Sequence, residues 1–205
     1  MRLYSYVVRA DSGFAPNPFW GYCTLACCKP VIRRIAEEGD WIVGCGSVGN
    51  AGNDKLIYAM KVTEKLTFEQ YAEDKRFKNK NPHHGLIEER GDNIYYKNKD
   101  GKWIQRRSYH RKGLEENKNN KDKDLEGKYV LISNHYFYFG KNAKILPEEA
   151  GLKQIIKQGP GHKSRSIPKE VIEKFVVWIE KLPQGRHGEP HDFEEKVLIP
   201  KEGKC

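Results

Sequence analysis

The apolar positions of this chain fall into short runs with two different periods. Residues 3–8 alternate bulky and smaller side chains and predict a first strand. Residues 30–38 predict a short helix. Pro30 suits a first helical position, Ile32, Ile35 and Ala36 mark an apolar face, and Gly39 suits the position past the end. On that assignment Arg33 and Arg34 turn towards solvent. Residues 40–44 read as a buried strand, and residues 55–63 as a period-two strand with Leu56, Tyr58, Met60 and Val62 on one face. A second helix is predicted over 67–74, capped by Thr67 or a neighbour. Residues 92–96 and 103–105 predict a hairpin with a turn signal at Lys99-Asp100-Gly101. Residues 129–133 and 135–139 are two adjacent apolar strands. The clearest helix is 168–182, where Val171, Phe175, Trp178, Ile179 and Leu182 keep one face.

The connections carry their own signals. Residues 11–24 are rich in Gly, Pro, Asn and aromatics, and Pro16 and Pro18 forbid a helix, so a rigid loop is expected. Residues 45–54 form a Gly-rich connection, and residues 159–162 a tight loop that exposes its backbone. Residues 111–128 are almost all charge and Asn and read as a mobile insertion rather than a folded element. The tail from Pro183 is expected to wrap or fray. Several short strands, three helices and no βαβ alternation predict an α+β fold: a small mixed or antiparallel β-barrel with flanking helices. It would be one domain over 1–182, with a C-terminal tail over 183–205.

A length of 205 residues suits one domain with a core that needs neither disulfides nor a structural metal. The formal net charge of +9 changes the picture more, because such an excess favours polyanions through counterion release. It also describes a merely solvated Lys-rich surface, so it does not decide the matter alone. Candidate phosphate contacts are Lys29, Arg33, Arg34, Arg106, Arg107, Lys163 and Arg165. Residues 1–10 are too polar for a secretory signal, and no 18-residue apolar run occurs, so a cytoplasmic protein without membrane partners is expected. The five cysteines are odd in number and three crowd at Cys23, Cys27 and Cys28, which is no disulfide framework.

That cysteine cluster has three readings. The spacing lacks the paired C-x-x-C of zinc sites, so no metal is expected. A thiolate nucleophile is open, because Arg33 and a helix start lie nearby. Small buried side chains at a loop-to-helix junction are the plainest reading. Residues 44–52 are Gly-rich but lack the Gly-Lys-Ser/Thr ending of a phosphate loop and the spacing of a dinucleotide fingerprint, so no cofactor is expected. The aromatics Phe14, Phe19, Trp20, Tyr22 and Trp41 could wall a cleft for a stacked base, with Asn17, Ser47 and Asn93 reading its edge. Among the histidines, His110 and His162 sit beside basic residues in loops. With Lys29, Cys23 or Cys28, and His135, they form the pool for catalysis. Spacing alone cannot reveal a Cys-His arrangement.

The runs GFAPNPFWGYCTLACCKPVIRR, GDWIVGCGS, LIYAMKVTEKLTFEQY, GDNIY, WIQRRSYH, VLIS, YFG and GPGH resemble the second type of nucleotide-modification-associated domain over roughly residues 1–182. That resemblance implies a link, through gene context, to DNA base modification and phage defence. It identifies no reaction. The helix ending in Gly39-Asp40, the following strand, the Gly-rich loop and a strand into Val-Thr-Glu are similar to PUA-like domains of the ASCH and EVE kind. The similarity implies a barrel that holds a flipped base between aromatic walls. Beside a non-catalytic protein–protein adaptor within a defence complex, two readings stay open. One is a module that binds DNA or RNA, carrying a modified base, alongside partner proteins of a modification or defence system. The other is a metal-independent hydrolase, glycosylase or transferase using the same cleft.

Overall fold

The computed structural model describes residues 1–110 and 115–193. In chain order the strands and helices are β1 (Leu3–Val7), β2 (Cys23–Leu25), α1 (Pro30–Ile35), β3 (Trp41–Cys45), β4 (Lys55–Lys61), β5 (Glu64–Thr67), α2 (Phe68–Glu73), β6 (Tyr95–Lys97) and β7 (Trp103–Gln105). There follow α3 (Lys118–Leu125), β8 (Tyr129–Ser133), β9 (His135–Tyr138), β10 (Lys144–Ile145), β11 (His162–Lys163), α4 (Lys169–Ile179) and β12 (Gly185–Arg186).

The main sheet runs β11-β1-β3-β4-β9-β12, with β10 also paired to β4. A second sheet runs β2-β8-β5, and β6-β7 form the expected hairpin. The fold is mixed α+β, but among the described residues the sheets do not close into the expected barrel. The expectation of no βαβ unit also fails. β1 and β3 pair in parallel, Leu3 opposite Trp41 and Val7 opposite Cys45, and the connection between them carries α1.

Parallel pairing at the centre requires both faces of the sheet to be covered. One face packs Leu3, Trp41, Val43 and Phe137 against Phe175 and Ile179 of α4. The other packs Tyr4, Tyr6, Ile42 and Met60 against Ile32 of α1 and Leu131 of β8. A third cluster gathers Phe68, Tyr71, Tyr95, Val130 and Ile132 around α2 and the hairpin. The period-two reading of β4 therefore describes only half of its burial: Leu56 and Ala59 join the first cluster, and Tyr58, Met60 and Val62 the second. At Gly44 the ladder shifts register, and a Cβ there would lie 2.3 Å from the Tyr58 ring, so only glycine permits this approach.

Local signals set the ends of several elements. Thr67 caps α2 as a capping box: its hydroxyl accepts from the Gln70 N–H at 3.2 Å, and the Gln70 side chain accepts from the Thr67 N–H at 2.8 Å. Asp40 is structural, its carboxylate accepting from the N–H groups of Arg2 and Glu37.

Three expectations are corrected. Residues 118–125 of the charged insertion are helical, because Asn117 caps the first turn and Asp124 is drawn into the interior. Residues 111–114 of that segment lie outside the described residues. Arg33 is buried, not solvent-facing, since α1 lies beneath the insertion rather than on an open surface. Trp41 is 1% exposed and packs against Phe137 and Phe175, so it has no free face for a base. The tail wraps as far as it is described: β12 pairs with β9, and the Asp192 N–H donates to the Asp11 carbonyl. Residues 194–205 lie outside the described residues. No described helix is long and apolar enough to cross a membrane.

Trp41→Ala is expected to cost about 3–5 kcal/mol of stability in urea unfolding, as truncation of a buried aromatic does. A cost below about 1 kcal/mol would show that the ring is not a core residue.

Candidate active site

The chain leaves β2 through Ala26, Cys27, Cys28 and Lys29 and enters α1 at Pro30. Cys28 and Lys29 both adopt left-handed backbone, with φ of 61° and 43°. Residues other than glycine adopt it at a cost of about 1–2 kcal/mol each, so the surroundings must impose it. They do. The Cys28 N–H donates to Asp124 Oδ1 at 2.7 Å, and the Cys28 carbonyl accepts from Arg33 Nε at 2.7 Å. The turn leaves the two successive thiols differently buried. Cys27 enters the core, its Sγ 3.9 Å from the Asp92 carbonyl, while Cys28 faces a cavity.

In that cavity Cys28 Sγ lies 3.6 Å from His110 Nε2, and His110 Nδ1 lies 2.9 Å from Asp124 Oδ2. The imidazole packs on Phe14, ring centres 4.7 Å apart. Asp124 also accepts from the Tyr95 hydroxyl at 2.8 Å, and its Oδ1 lies 3.8 Å from Arg33 Nη2. Arg33 is itself fixed by donating to the carbonyls of Tyr129 and Asp124. Gly127 is required here, because a Cβ would lie 2.5 Å from the guanidinium. A thiol, an imidazole and an orienting carboxylate are thus joined in series, the arrangement by which a cysteine nucleophile is activated.

The electrostatics follow from the contacts. Burial pushes the His110 pKa down, but the hydrogen bonds to Asp124 and Cys28 outweigh this and raise it to about 9. Burial pushes the Asp124 carboxyl up, and His110, Arg33 and the Cys28 N–H more than reverse that, leaving it below its ordinary value.

The cavity has a volume of about 540 Å³ and includes Tyr6, Val8, Lys29, Lys123 and His162 in its wall. Lys29 stands over the Tyr6 ring, 4.4 Å from its centre. A broader trough of about 1200 Å³ adjoins it, the two sharing Val31 and His162. One metal arrangement exists among the described residues: Cys27, His110 and Asp124 each offer a donor atom within 4.8 Å of the others. It fits a cation poorly. The Asp124 oxygens already serve Tyr95, His110 and the Cys28 N–H, and the Arg33 guanidinium supplies the positive charge beside them.

The whole of this site falls within a match to the family described as nucleotide modification associated domain 2, which spans residues 1–197. The chain belongs to that family. No curated protein and no solved structure matches it. The family's description concerns nucleotide modification and assigns no reaction, so any chemistry must be argued from the cavity.

The remaining candidate residues are dispersed. Cys23 is fully buried, and burial pushes its thiol pKa up, which removes it as a nucleophile. His135 pairs with Glu180 at 2.8 Å and packs on Trp41. Asn17 is buried, donating to the Arg90 carbonyl and accepting from the buried Lys80 ammonium at 2.6 Å. Lys80 also donates to the Tyr22 carbonyl at 3.0 Å, so a buried lysine ties the Pro-rich loop down. Phe19 is buried, and Trp20 and Tyr22 are half-buried. Asn93 is buried and donates to the Tyr71 carbonyl, while Ser47 accepts within its own loop through its carbonyl. The expected aromatic cleft is therefore not assembled: Phe14 supports His110, Phe19 and Trp41 are interior, and only Trp20 and Tyr22 keep partly open faces. Arg106 lies over Tyr96, Arg107 is half-exposed, and Arg34 is exposed. Lys29 lines the cavity, and Lys163 and Arg165 line the trough.

Asp124 was missed because it sits in a run of charges that looks solvated. The available signal was the pair of helix ends around it, Asn117 as cap and Gly127 as stop.

Asp124→Ala removes the partner of a buried cation and is expected to cost about 3–5 kcal/mol in urea unfolding, against under about 1 kcal/mol if α3 were only loosely attached. The His110 pKa, raised in the fold from 6.5 to about 9, gives a second check. Its stabilising contribution is complete below the unfolded pKa and is lost as pH rises through about 9. The stability gap between wild type and His110→Gln should therefore narrow across that window. A gap independent of pH would mean that the imidazolium is not paired.

Proposed function

We propose that the protein is a cysteine-dependent transferase or hydrolase of nucleotide modification, with Cys28 as nucleophile, His110 as acid–base and Asp124 as the group that orients His110. The observation that carries the reading is the Cys28 Sγ–His110 Nε2–Asp124 series opening into a cavity. With His110 already carrying the proton, Cys28 Sγ attacks an acyl-type carbon of the substrate as the thiolate of a thiolate–imidazolium pair. The bond to the leaving group breaks as His110 Nε2 gives its proton to it. Water or an amine acceptor then attacks the thioester, giving its proton to His110, and the carbon–sulfur bond breaks to restore the thiolate–imidazolium pair. Lys29 supplies positive charge where the oxyanion develops.

A second reading is supported by the half-buried Trp20 and Tyr22 and by the net charge of +9. In it the protein is a non-catalytic module that binds DNA or RNA with a modified base, as PUA-like domains do, in the cytoplasm beside proteins of a modification or defence system.

The test is covalent. Under limiting iodoacetamide, mass mapping should find Cys28 alkylated first, and His110→Ala should slow that reaction by about 100-fold. Incubation with a panel of N-acyl and N-carbamoyl nucleotides should leave a mass increment on Cys28 that is absent from Cys28→Ser. Alkylation indifferent to His110, with no adduct from any nucleotide, would overturn the enzymatic reading in favour of the binding module.

A further inference from the structure

The trough beside the thiol cavity is bordered by Lys153, Lys157, Lys163 and Arg165. The thiol cavity brings Arg9, Lys29 and Lys123 to the same junction. The opposing acids are few. Asp54 lines the trough, Lys153 is paired with Glu148 at 2.6 Å, and Asp124 is committed to His110 and Arg33. Among the described residues, the ammonium groups of Lys157 and Lys163 donate to backbone carbonyls, those of Gln158 and Gln154. The cations also oppose one another. Burial lowers the Lys29 pKa, and Lys123, Arg9 and Lys157 lower it further, while burial, Lys29 and Lys157 lower that of His162. Like charges gathered in excess of the acids near them cost stability unless an anion joins them. The wall of the thiol cavity is different in character: Tyr6, Val8, Ala15, Pro30 and Ile32 make it largely apolar, and its volume of about 540 Å³ suits a nucleoside.

From this juxtaposition we propose that the site takes a nucleoside 5′-phosphate, with the phosphate over the cationic junction at Lys29, Lys157 and Lys163 and the base in the apolar cavity beside Cys28. The proposal rests on that cavity being the reaction centre and specifies what enters it. A free nucleotide and a nucleotide within a single strand present the same chemistry there. His162 stands at the junction of the two spaces and meets both parts of the ligand.

The experiment is calorimetric titration of the full chain with the four deoxynucleoside 5′-monophosphates, the matching nucleosides, inorganic phosphate and a short single-stranded DNA, at about 50 and about 200 mM salt. Monophosphates should bind at least about tenfold more tightly than nucleosides or inorganic phosphate, and weaken with salt. Lys157→Glu combined with Arg165→Glu should weaken binding by about tenfold or more. Lys99→Glu with Lys102→Glu, at the tip of the β6–β7 hairpin and lining neither cavity, should not. Preference for the monophosphate identifies a free nucleotide and preference for the oligomer a strand, and both support the proposal. Equal binding of nucleoside and monophosphate, or equal effects of the two double variants, would overturn it. So would inorganic phosphate binding as tightly as the nucleotides. Setting this titration beside the iodoacetamide mapping of Cys28 in the unmodified chain separates the two readings. Retained binding with an unreactive Cys28 sinks the thiol mechanism alone, whereas a reactive Cys28 without phosphate-dependent binding sinks this proposal alone.

Discussion

The contact between Arg33 and Asp124 is the constraint on which the site depends. It joins α1 to α3 across 91 positions of sequence and does so inside the protein, where neither charge can be left alone. Every polar atom near it has a task. The guanidinium holds the carbonyls of Cys28, Tyr129 and Asp124, and the carboxylate holds the Cys28 N–H, the Tyr95 hydroxyl and His110. Buried charges are tolerated when geometry supplies that many hydrogen bonds, and the network then fixes side chains within narrow limits. The left-handed backbone at Cys28 is one product of this fixing, and the placement of Cys28 on the cavity wall, beside the fully buried Cys27, is the other.

The same economy sets the electrostatics on either side of the thiol. On the inner side, positive and negative groups are matched and hydrogen-bonded, which holds His110 protonated to about pH 9. On the outer side cations outnumber acids, and burial together with neighbouring cations lowers the pKa of Lys29 and of His162. In the proposed reading, a thiol between a rigid, neutralised wall and an open, cationic one receives an anionic ligand in a single orientation.

The aromatic residues show how burial redistributes roles. Trp41 begins a central strand whose neighbours on both sides are strands, so its ring must go to one covered face or the other, and α4 covers that face. Phe14 and Phe19 belong to a loop that is roofed by the C-terminal segment and tied by Lys80. Neither was distinguishable in sequence from a presented aromatic, because a Pro-bracketed loop is rigid whether it is buried or displayed.

Local sequence determined most of the elements. The hairpin at Lys97–Lys102, the Thr67 cap, the α4 face and the two strands before and after Asn134 all lie where short-range pattern puts them, because period and capping act within a few residues. Membership of the nucleotide modification family was also legible, in the long unusual runs between Gly13 and Ser47. His110, Cys28 and Lys29 were recognisable as reactive residue types but not as neighbours. Their assembly was decided only by the tertiary structure, since it depends on α3 docking against α1. That docking is fixed in place by Arg33 and Asp124, two charged residues whose removal from water is compensated only by the hydrogen bonds that the assembled fold gives them.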